Sequence, residues 1–182
     1  MIIILGKGQL GSALQKHLGQ DHCVMLGRPD FDFATQADCD RVLEQYPHPE
    51  IIINTIGVVS QDQWKNLIVN FVSPAYLTMQ YMARAKNCHI INISSASAWW
   101  VSYPGLDLNR FSYNLAKDSL SNFGRHINRI VVDQARAVTL TTIEPGKFQS
   151  PMSDHTGMEI KRVVDAVDYA IKAKPQHLSV IK

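Results

Sequence analysis

Tyr113 and Lys117 are the residues whose types and spacing most directly suggest chemistry, since they stand four positions apart in a segment, residues 110–120, that favours a helix. Side chains at positions i and i+4 share one face of a helix. The lysine ammonium should therefore lie beside the phenol, where a cation favours phenolate. We expect Lys117 to lower the pKa of Tyr113, ordinarily about 10, and so to prepare it for general acid–base catalysis. The pair alone also fits a packed tyrosine beside a solvated lysine.

A glycine turn near the start of the chain predicts a dinucleotide-binding loop. The apolar run Ile2–Leu5 is typical of a buried strand, and leucines at helical spacing follow the turn. Glycines between a strand and a helix let the backbone approach a pyrophosphate, which then lies at the helix N-terminus. We therefore predict a cofactor loop, with a plain strand-turn-helix unit as the alternative. The loop consists of Gly6, Lys7, Gly8, Gln9, Leu10 and Gly11.

The residues after the second predicted strand, 22–26, indicate which cofactor is bound. Gly27 and Arg28 stand there, in place of the Asp or Glu that would bind a ribose 2′-hydroxyl. Arg28 and Lys7 would instead place two cations where a 2′-phosphate lies. We predict NADP(H) in preference to NAD(H), the alternative being that both side chains are simply solvated.

Polar residues and turns follow the later predicted strands. These strands cover residues 50–54, 89–93, 138–143 and 177–181. The turn 55–57, the pair Ser94-Ser95 and Pro145-Gly146 come at their carboxyl ends, where open α/β sheets bind ligands. Six strands alternating with helices predict one domain, residues 1–182, with a Rossmann-like doubly wound parallel sheet and helices on both faces.

Two features of the intervening segments bear on the site. Pro74 interrupts a long helical pattern and lacks the N–H that would bond the carbonyl of Asn70, so we expect that oxygen to be free for water. The loop from Ala96 to Asn109 is aromatic, with Trp99 and Trp100 among its residues. Such loops usually cover a site, although core packing of the tryptophans fits equally well.

Composition excludes several classes of function. The 182 residues have 46% hydrophobic and 19% charged content and a net charge of +2, which suits a globular protein and argues for neither a nucleic-acid nor a membrane surface. The three cysteines are scattered, so we predict no disulfide framework and no metal site. The opening apolar run is too short for a signal peptide. We expect a cytoplasmic protein.

Together these motifs resemble the short-chain dehydrogenase/reductase family along nearly the whole chain. The matching segments stand in the family's order: the glycine loop 6–11, Asn54-Thr-Ile-Gly57, Asn70, Ile91-Asn-Ile-Ser-Ser95, Tyr113-x-x-x-Lys117, and Pro145-Gly146 followed by Ser150 and Met152. The resemblance implies that Ser95 polarises a substrate carbonyl and that Tyr113 exchanges the proton. It further implies that Lys117 holds the nicotinamide ribose and shifts the pKa of Tyr113, and that Asn70 anchors a relay water.

The resemblance also implies a set of cofactor contacts beyond the glycine loop. They are Arg28, Asp32, Phe33, Asn54, Thr55, Ile56, Gly57, Tyr113, Lys117, Pro145, Gly146, Phe148 and Ser150. The chain departs from the family in its glycine loop, which is one residue shorter than the commonest form. That loop is more similar to the dehydrorhamnose reductases, as is the stretch from Arg28 to Phe33. The segment after the second strand is compressed, so we expect one strand fewer than usual.

We therefore expect an NADP(H)-dependent oxidoreductase that acts on a small carbonyl or alcohol. The alternatives are a non-catalytic NADP(H)-binding sensor and a nucleotide-sugar epimerase or reductase, for which the chain leaves little substrate region. The resemblance further implies a homodimer or homotetramer built partly from the long helices around residues 62–86 and 110–132. Phe123, Ile127 and Ile130 could serve either that interface or the core.

Overall fold

A computed structural model describes residues 1–85, 87–100, 110–133 and 138–180. For residues 100 and 131–133 it describes the backbone only. Strands and helices alternate along the described chain. In order they are β1 Ile2–Leu5, α1 Gln9–Leu18, β2 Cys23–Leu26, α2 Gln36–Gln45, β3 Ile51–Asn54, α3 Gln63–Leu67, α4 Ser73–Arg84, β4 Cys88–Ile93, α5 Phe111–Asp133, β5 Val138–Pro145, α6 Ile160–Ala173 and β6 His177–Val180. A π-helical segment, Ile68–Val72, joins α3 to α4, and Pro74 lies in the first turn of α4.

The six strands form one parallel sheet in the order β2-β1-β3-β4-β5-β6. The predicted doubly wound α/β fold is thus confirmed. The chain reverses its direction of travel across the sheet between β1 and β3, which creates the crevice where such sheets bind ligands. In the described chain between β2 and α2 there are turns and no strand, which agrees with the compression of that segment.

Two apolar layers cover the sheet because its strands are apolar on both faces. Ile3 and Leu5 of β1 join a cluster on one face with residues of α2 and α4. Ile4, one position away, joins a cluster on the other face with residues of α1 and α6. Burial on both sides fixes the strands, so that their carboxyl ends form a rigid edge.

Helix α5 is held against this edge by small and polar residues. A Cβ on Gly124 would lie 2.1 Å from Oγ1 of Thr142, so the helix backbone packs directly on β5. The Ser94 hydroxyl donates to the carbonyl of Lys117 at 2.7 Å and accepts from Ser121 at 2.8 Å. These contacts set the position of Tyr113. Although α5 has 23 residues, neither it nor any other helix in the described ranges is both long and apolar enough to cross a bilayer.

Candidate active site

Two cavities open along the carboxyl edge of the sheet and meet at the turn after β3. The first has a volume of about 480 Å³ and lies over the ends of β4 and β5 and the start of α5. The second has a volume of about 640 Å³ and lies over the glycine loop and the end of β2. Thr55, Ile56 and Gly57 line both. Together the cavities cross the point where the strand order reverses.

The first cavity contains the predicted chemical centre, since Ser95, Tyr113 and Lys117 all line it. Ser97 donates a hydrogen bond to the Ser95 hydroxyl at 2.9 Å. Burial raises the pKa of Tyr113, and hydrogen bonds with Ser95 and Ser97 and the charge of Arg110 lower it less. The phenol is therefore kept in its protonated form, which is the form that can donate a proton to a substrate oxygen.

The prediction that Lys117 lowers the pKa of Tyr113 is wrong in this structure. The Lys117 ammonium is buried and donates to the carbonyl of Ile93 at 2.9 Å and to that of Ile56 at 3.4 Å. It thus points between the ends of β3 and β4 rather than at the phenol. Burial lowers its own pKa to about 7. The cation that acts on Tyr113 is Arg110.

The two adjacent serines after β4 have different surroundings. The Ser94 hydroxyl is buried and fully engaged with Lys117 and Ser121 of α5. The Ser95 hydroxyl instead hydrogen-bonds toward Tyr113 and Ser97. This arrangement supports Ser95 as the residue that acts on a substrate, and it gives Ser94 a structural role.

The glycine loop closes tightly on itself and leaves the start of α1 open. Gly6 has a φ of 111°, a value that favours glycine. A Cβ on Gly11 would lie 2.0 Å from the carbonyl oxygen of Gly6, whereas one on Gly8 would meet nothing within 4 Å. The Thr55 hydroxyl donates to the carbonyl of Leu5 at 2.8 Å and ties the loop to the end of β3. The free backbone N–H groups at the N-terminus of α1 are suited to a phosphate.

This geometry predicts different outcomes for two Gly→Ala substitutions. Gly11→Ala should lower the free energy of unfolding by about 1–3 kcal/mol, because its methyl group overlaps the loop backbone. Gly8→Ala should leave stability near that of the unmodified protein, because its backbone already has an ordinary φ of −76°, but should weaken binding of a dinucleotide by filling space at the N-terminus of α1. Urea unfolding and calorimetric titration measure both effects. Equal stability of the two variants would contradict this description of the loop.

The second cavity brings together three of the predicted cofactor contacts, Arg28, Asp32 and Phe33. Arg28 forms no ion pair with a described residue, so its charge is available to a ligand. Lys7 also lines this cavity, but its ammonium pairs with the carboxylate of Asp30. The Lys7 charge is thus already paired within the protein, and the predicted contact of Arg28 with a 2′-phosphate stays a prediction. Lys65, which the sequence analysis did not single out, adds a second cation to the wall.

Asn54 and Asn70 lie behind the turn after β3 and line neither cavity. Asn54 donates to the Asn92 side chain at 3.1 Å and accepts from the N–H of Ile56 at 3.2 Å. Asn70 donates to the carbonyl of Val58 at 2.8 Å and accepts from the Val58 N–H at 3.1 Å. Both side chains fix the shape of the turn. The predicted contacts of Asn54 with a cofactor and of Asn70 with a relay water stay predictions. The predicted cofactor contact of Gln9 also stays a prediction, since Gln9 lies at the start of α1 and lines neither cavity.

The segment after β5 closes the first cavity from the other side. The remaining predicted contacts there all line it: Pro145, Gly146, Phe148 and Ser150, with Leu10 from the glycine loop opposite them. A bridge between Phe148 and Met158 and a hydrogen bond from the Met158 N–H to the Lys147 carbonyl at 3.0 Å hold this segment against the start of α6.

Sequence reasoning missed a buried carboxylate at the edge of the first cavity. Glu144 is 1% exposed and accepts a hydrogen bond from the Trp99 indole at 2.7 Å. Arg125 and His177 approach the same carboxylate at 3.8 and 3.4 Å. Trp99 lines the cavity and is therefore anchored as a wall. The aromatic content of the loop was the one available signal, and its residues 101–109, with Tyr103 and Pro104, lie outside the described part of the chain.

Comparison with known proteins gives distant relatives. No protein-family model matches the chain. An uncharacterized oxidoreductase of Staphylococcus epidermidis is 25% identical over 160 residues, which cover 76% of this chain. The chain spans 65% of that relative's length.

Solved structures resemble this chain over nearly its whole length. A 4-hydroxyisoleucine dehydrogenase complexed with NADH and succinate has a TM-score of 0.82 and 20% identity, covering 100% of this chain and 97% of its own. A short chain dehydrogenase of Burkholderia cenocepacia J2315 in complex with NADP has a TM-score of 0.81 and 14% identity, with 100% and 88% covered. The 3-alpha-hydroxysteroid dehydrogenase of Pseudomonas sp. B-0831, complexed with NADH, has a TM-score of 0.77 and 16% identity, with 99% and 94% covered. These likenesses establish the fold.

Proposed function

We propose that the protein is a nicotinamide-dependent oxidoreductase that interconverts a small carbonyl compound and the matching alcohol. The observation that carries this proposal is the pair of cavities that meet at residues 55–57, with the glycine loop in one and Ser95 and Tyr113 in the other. The oxidoreductase relatives and the neighbours solved with NADH or NADP support it.

The residues present fit a bound dinucleotide. The open space at Gly8 and the start of α1 suit the pyrophosphate, and the second cavity offers Arg28 and Lys65 toward the adenosine end. Lys117 lies beneath the turn that both cavities share, within reach of a ribose placed there. A nicotinamide bound in this way supplies the hydride. The chain supplies binding, orientation and the proton.

The proposed chemistry assigns separate tasks to Ser95 and Tyr113. Their hydroxyls meet in the first cavity, and a carbonyl oxygen placed between them accepts a hydrogen bond from each. As negative charge develops on that oxygen, both donors stabilise it. Tyr113, kept protonated by burial, transfers its proton to the new alkoxide.

An assay of NADPH absorbance over a panel of ketones, aldehydes and keto acids tests this function. Tight NADPH binding without consumption by any member of the panel would contradict it.

We further propose that NADPH is the preferred cofactor, since Arg28 is exposed beside the second cavity and no acid follows β2 directly. Arg28→Ala should weaken NADPH binding about 10-fold or more, the usual value of a charge-assisted contact with phosphate, and should leave NADH binding nearly unchanged. Calorimetric titration of both cofactors measures this. Arg129→Ala, an exposed arginine of α5, is the matched control. Tighter binding of NADH than NADPH in the unmodified protein would sink the assignment.

Self-association through α4 and α5 is also proposed. Of the three candidate interface residues, Ile127 packs against the core and the Phe123 ring meets that of Phe71 at 6.4 Å, whereas Ile130 is exposed. Met79 of α4 is exposed as well. Light scattering should report two or four times the chain mass of 20.4 kDa, and Ile130→Glu should shift the protein toward the monomer. A particle with the mass of one chain at micromolar concentration would exclude this proposal.

A further inference from the structure

We propose that the substrate carries a carboxylate and that Arg110 binds this group beside the reacting carbonyl, an inference that rests on the proposed oxidoreductase function. The substrate class would thus be small keto acids and the hydroxy acids related to them.

The charges around the first cavity support an anionic substrate. Three basic side chains line it, those of Arg110, Lys117 and Lys147, and no Asp or Glu is among its described lining residues. Lys117 is committed to two backbone carbonyls. Arg110 and Lys147 are exposed and form no ion pair with a described residue. A carboxylate on the substrate would pair with this positive charge, whereas a neutral carbonyl compound would not.

Arg110 is better placed than Lys147 to bind a group next to the reacting centre. It lies three residues before Tyr113, a separation that puts side chains of a helical turn about 5–6 Å apart at Cβ. Burial raises the pKa of Tyr113, and the charge of Arg110 offsets part of that rise, so the guanidinium acts on the phenol. A guanidinium also matches a carboxylate with two parallel hydrogen bonds, which an ammonium cannot do.

The remaining walls define the middle of the substrate. Val59, Trp99, Phe148 and Met152 line the same cavity, and Trp99 is fixed by its hydrogen bond with Glu144. These side chains suit a short aliphatic segment between the carbonyl, held by Ser95 and Tyr113, and the carboxylate at Arg110. A keto acid with a few carbons between the two groups therefore fits the cavity.

The first experiment compares an acid with its uncharged counterpart. The unmodified protein should reduce 4-oxopentanoate with a higher kcat/KM than methyl 4-oxopentanoate. Arg110→Met should lower kcat/KM for the acid about 10- to 100-fold, mainly by raising KM. The same substitution should change kcat/KM for the ester little. Arg110→Lys should fall between the two, and Arg129→Met, an exposed arginine of α5 outside the cavity, should match the unmodified protein. Equal losses of kcat/KM for acid and ester in Arg110→Met would overturn the inference. It would also be overturned if Lys147→Met, and not Arg110→Met, selectively lowered kcat/KM for the acid.

A second measurement separates this inference from the proposed function. Ligand-observed NMR should detect binding of pentanoate, which cannot react, and much weaker binding of pentanamide, with the difference abolished in Arg110→Met. If no carbonyl is turned over but this Arg110-dependent binding is found, the proposed function fails and the carboxylate site stands. Equal binding of pentanoate and pentanamide would overturn the site, whatever the outcome of the turnover assays.

Discussion

Tyr113→Phe should reduce carbonyl turnover about 10²- to 10⁴-fold, the range for loss of a positioned general acid, and leave NADPH binding nearly intact. The substitution removes one hydroxyl, which hydrogen-bonds with Ser95 and Ser97, and keeps the packing of the ring. Steady-state kinetics with any substrate found in the panel, together with calorimetric titration of NADPH, measure the two effects. A variant that keeps more than about a tenth of the original rate would show that this tyrosine is not the proton donor.

The serine pair provides the matched control for this prediction. Ser95→Ala should lose turnover in a similar range, because it removes a donor to the developing oxyanion. Ser94→Ala should lose much less turnover and should instead lower the free energy of unfolding by about 1 kcal/mol, since among the described residues its hydroxyl bonds Lys117 and Ser121, both of α5. The opposite pattern would exchange the roles of the two serines.

Lys117→Met should remove turnover about as thoroughly as Tyr113→Phe and, unlike it, should also weaken NADPH binding. The Lys117 ammonium lies 2.9 Å from the Ile93 carbonyl and 3.4 Å from that of Ile56, so it joins the ends of β3 and β4 beneath the turn shared by both cavities. Methionine fills a similar volume without those donors. A variant with normal NADPH affinity would contradict the placement of Lys117 at the cofactor.

The same variant tests the burial of Lys117 through the pH dependence of stability. The pKa of Lys117 is about 7 in the folded protein and about 10.4 in an unfolded chain, so between these values the unfolded state binds more protons. Stability from this group therefore rises with pH, is fully present above the unfolded pKa and is lost as pH falls toward 7. Urea unfolding without added cofactor should show the unmodified protein gaining stability relative to Lys117→Met from pH 7.5 to about pH 10. A constant difference would mean that the ammonium is solvated.

Local patterns in the sequence were sufficient to predict the fold. The apolar run at Ile2–Leu5 is covered on both faces, as a buried parallel strand requires. The i and i+4 spacing placed Tyr113 and Lys117 in one cavity. Each of these features depends on neighbours within a few positions, which a single sequence contains.

The electrostatics of the site could not be predicted in the same way, because they depend on residues that are distant in sequence or differently oriented. Spacing alone put the Lys117 charge beside Tyr113, but the carbonyl of Ile93 at the end of β4 and that of Ile56 in the turn after β3 draw the ammonium away. The pairing of Lys7 with Asp30 crosses 23 positions. The hydrogen bond from Trp99 to Glu144 crosses 45. No local pattern encodes such partners.

The transfer of deuterium from the nicotinamide to a carbonyl substrate tests the proposed function most directly. The protein would be incubated with NADPH that carries deuterium at both C4 positions and with a panel of ketones, aldehydes and keto acids, and the alcohols formed would be analysed by mass spectrometry. We expect one deuterium in the alcohol product of the unmodified protein and, in the same reaction time, at least about 100-fold less labelled alcohol with Tyr113→Phe. Saturating NADPH binding without deuterium in any alcohol would contradict the proposal and would identify the protein as a cofactor-binding sensor instead.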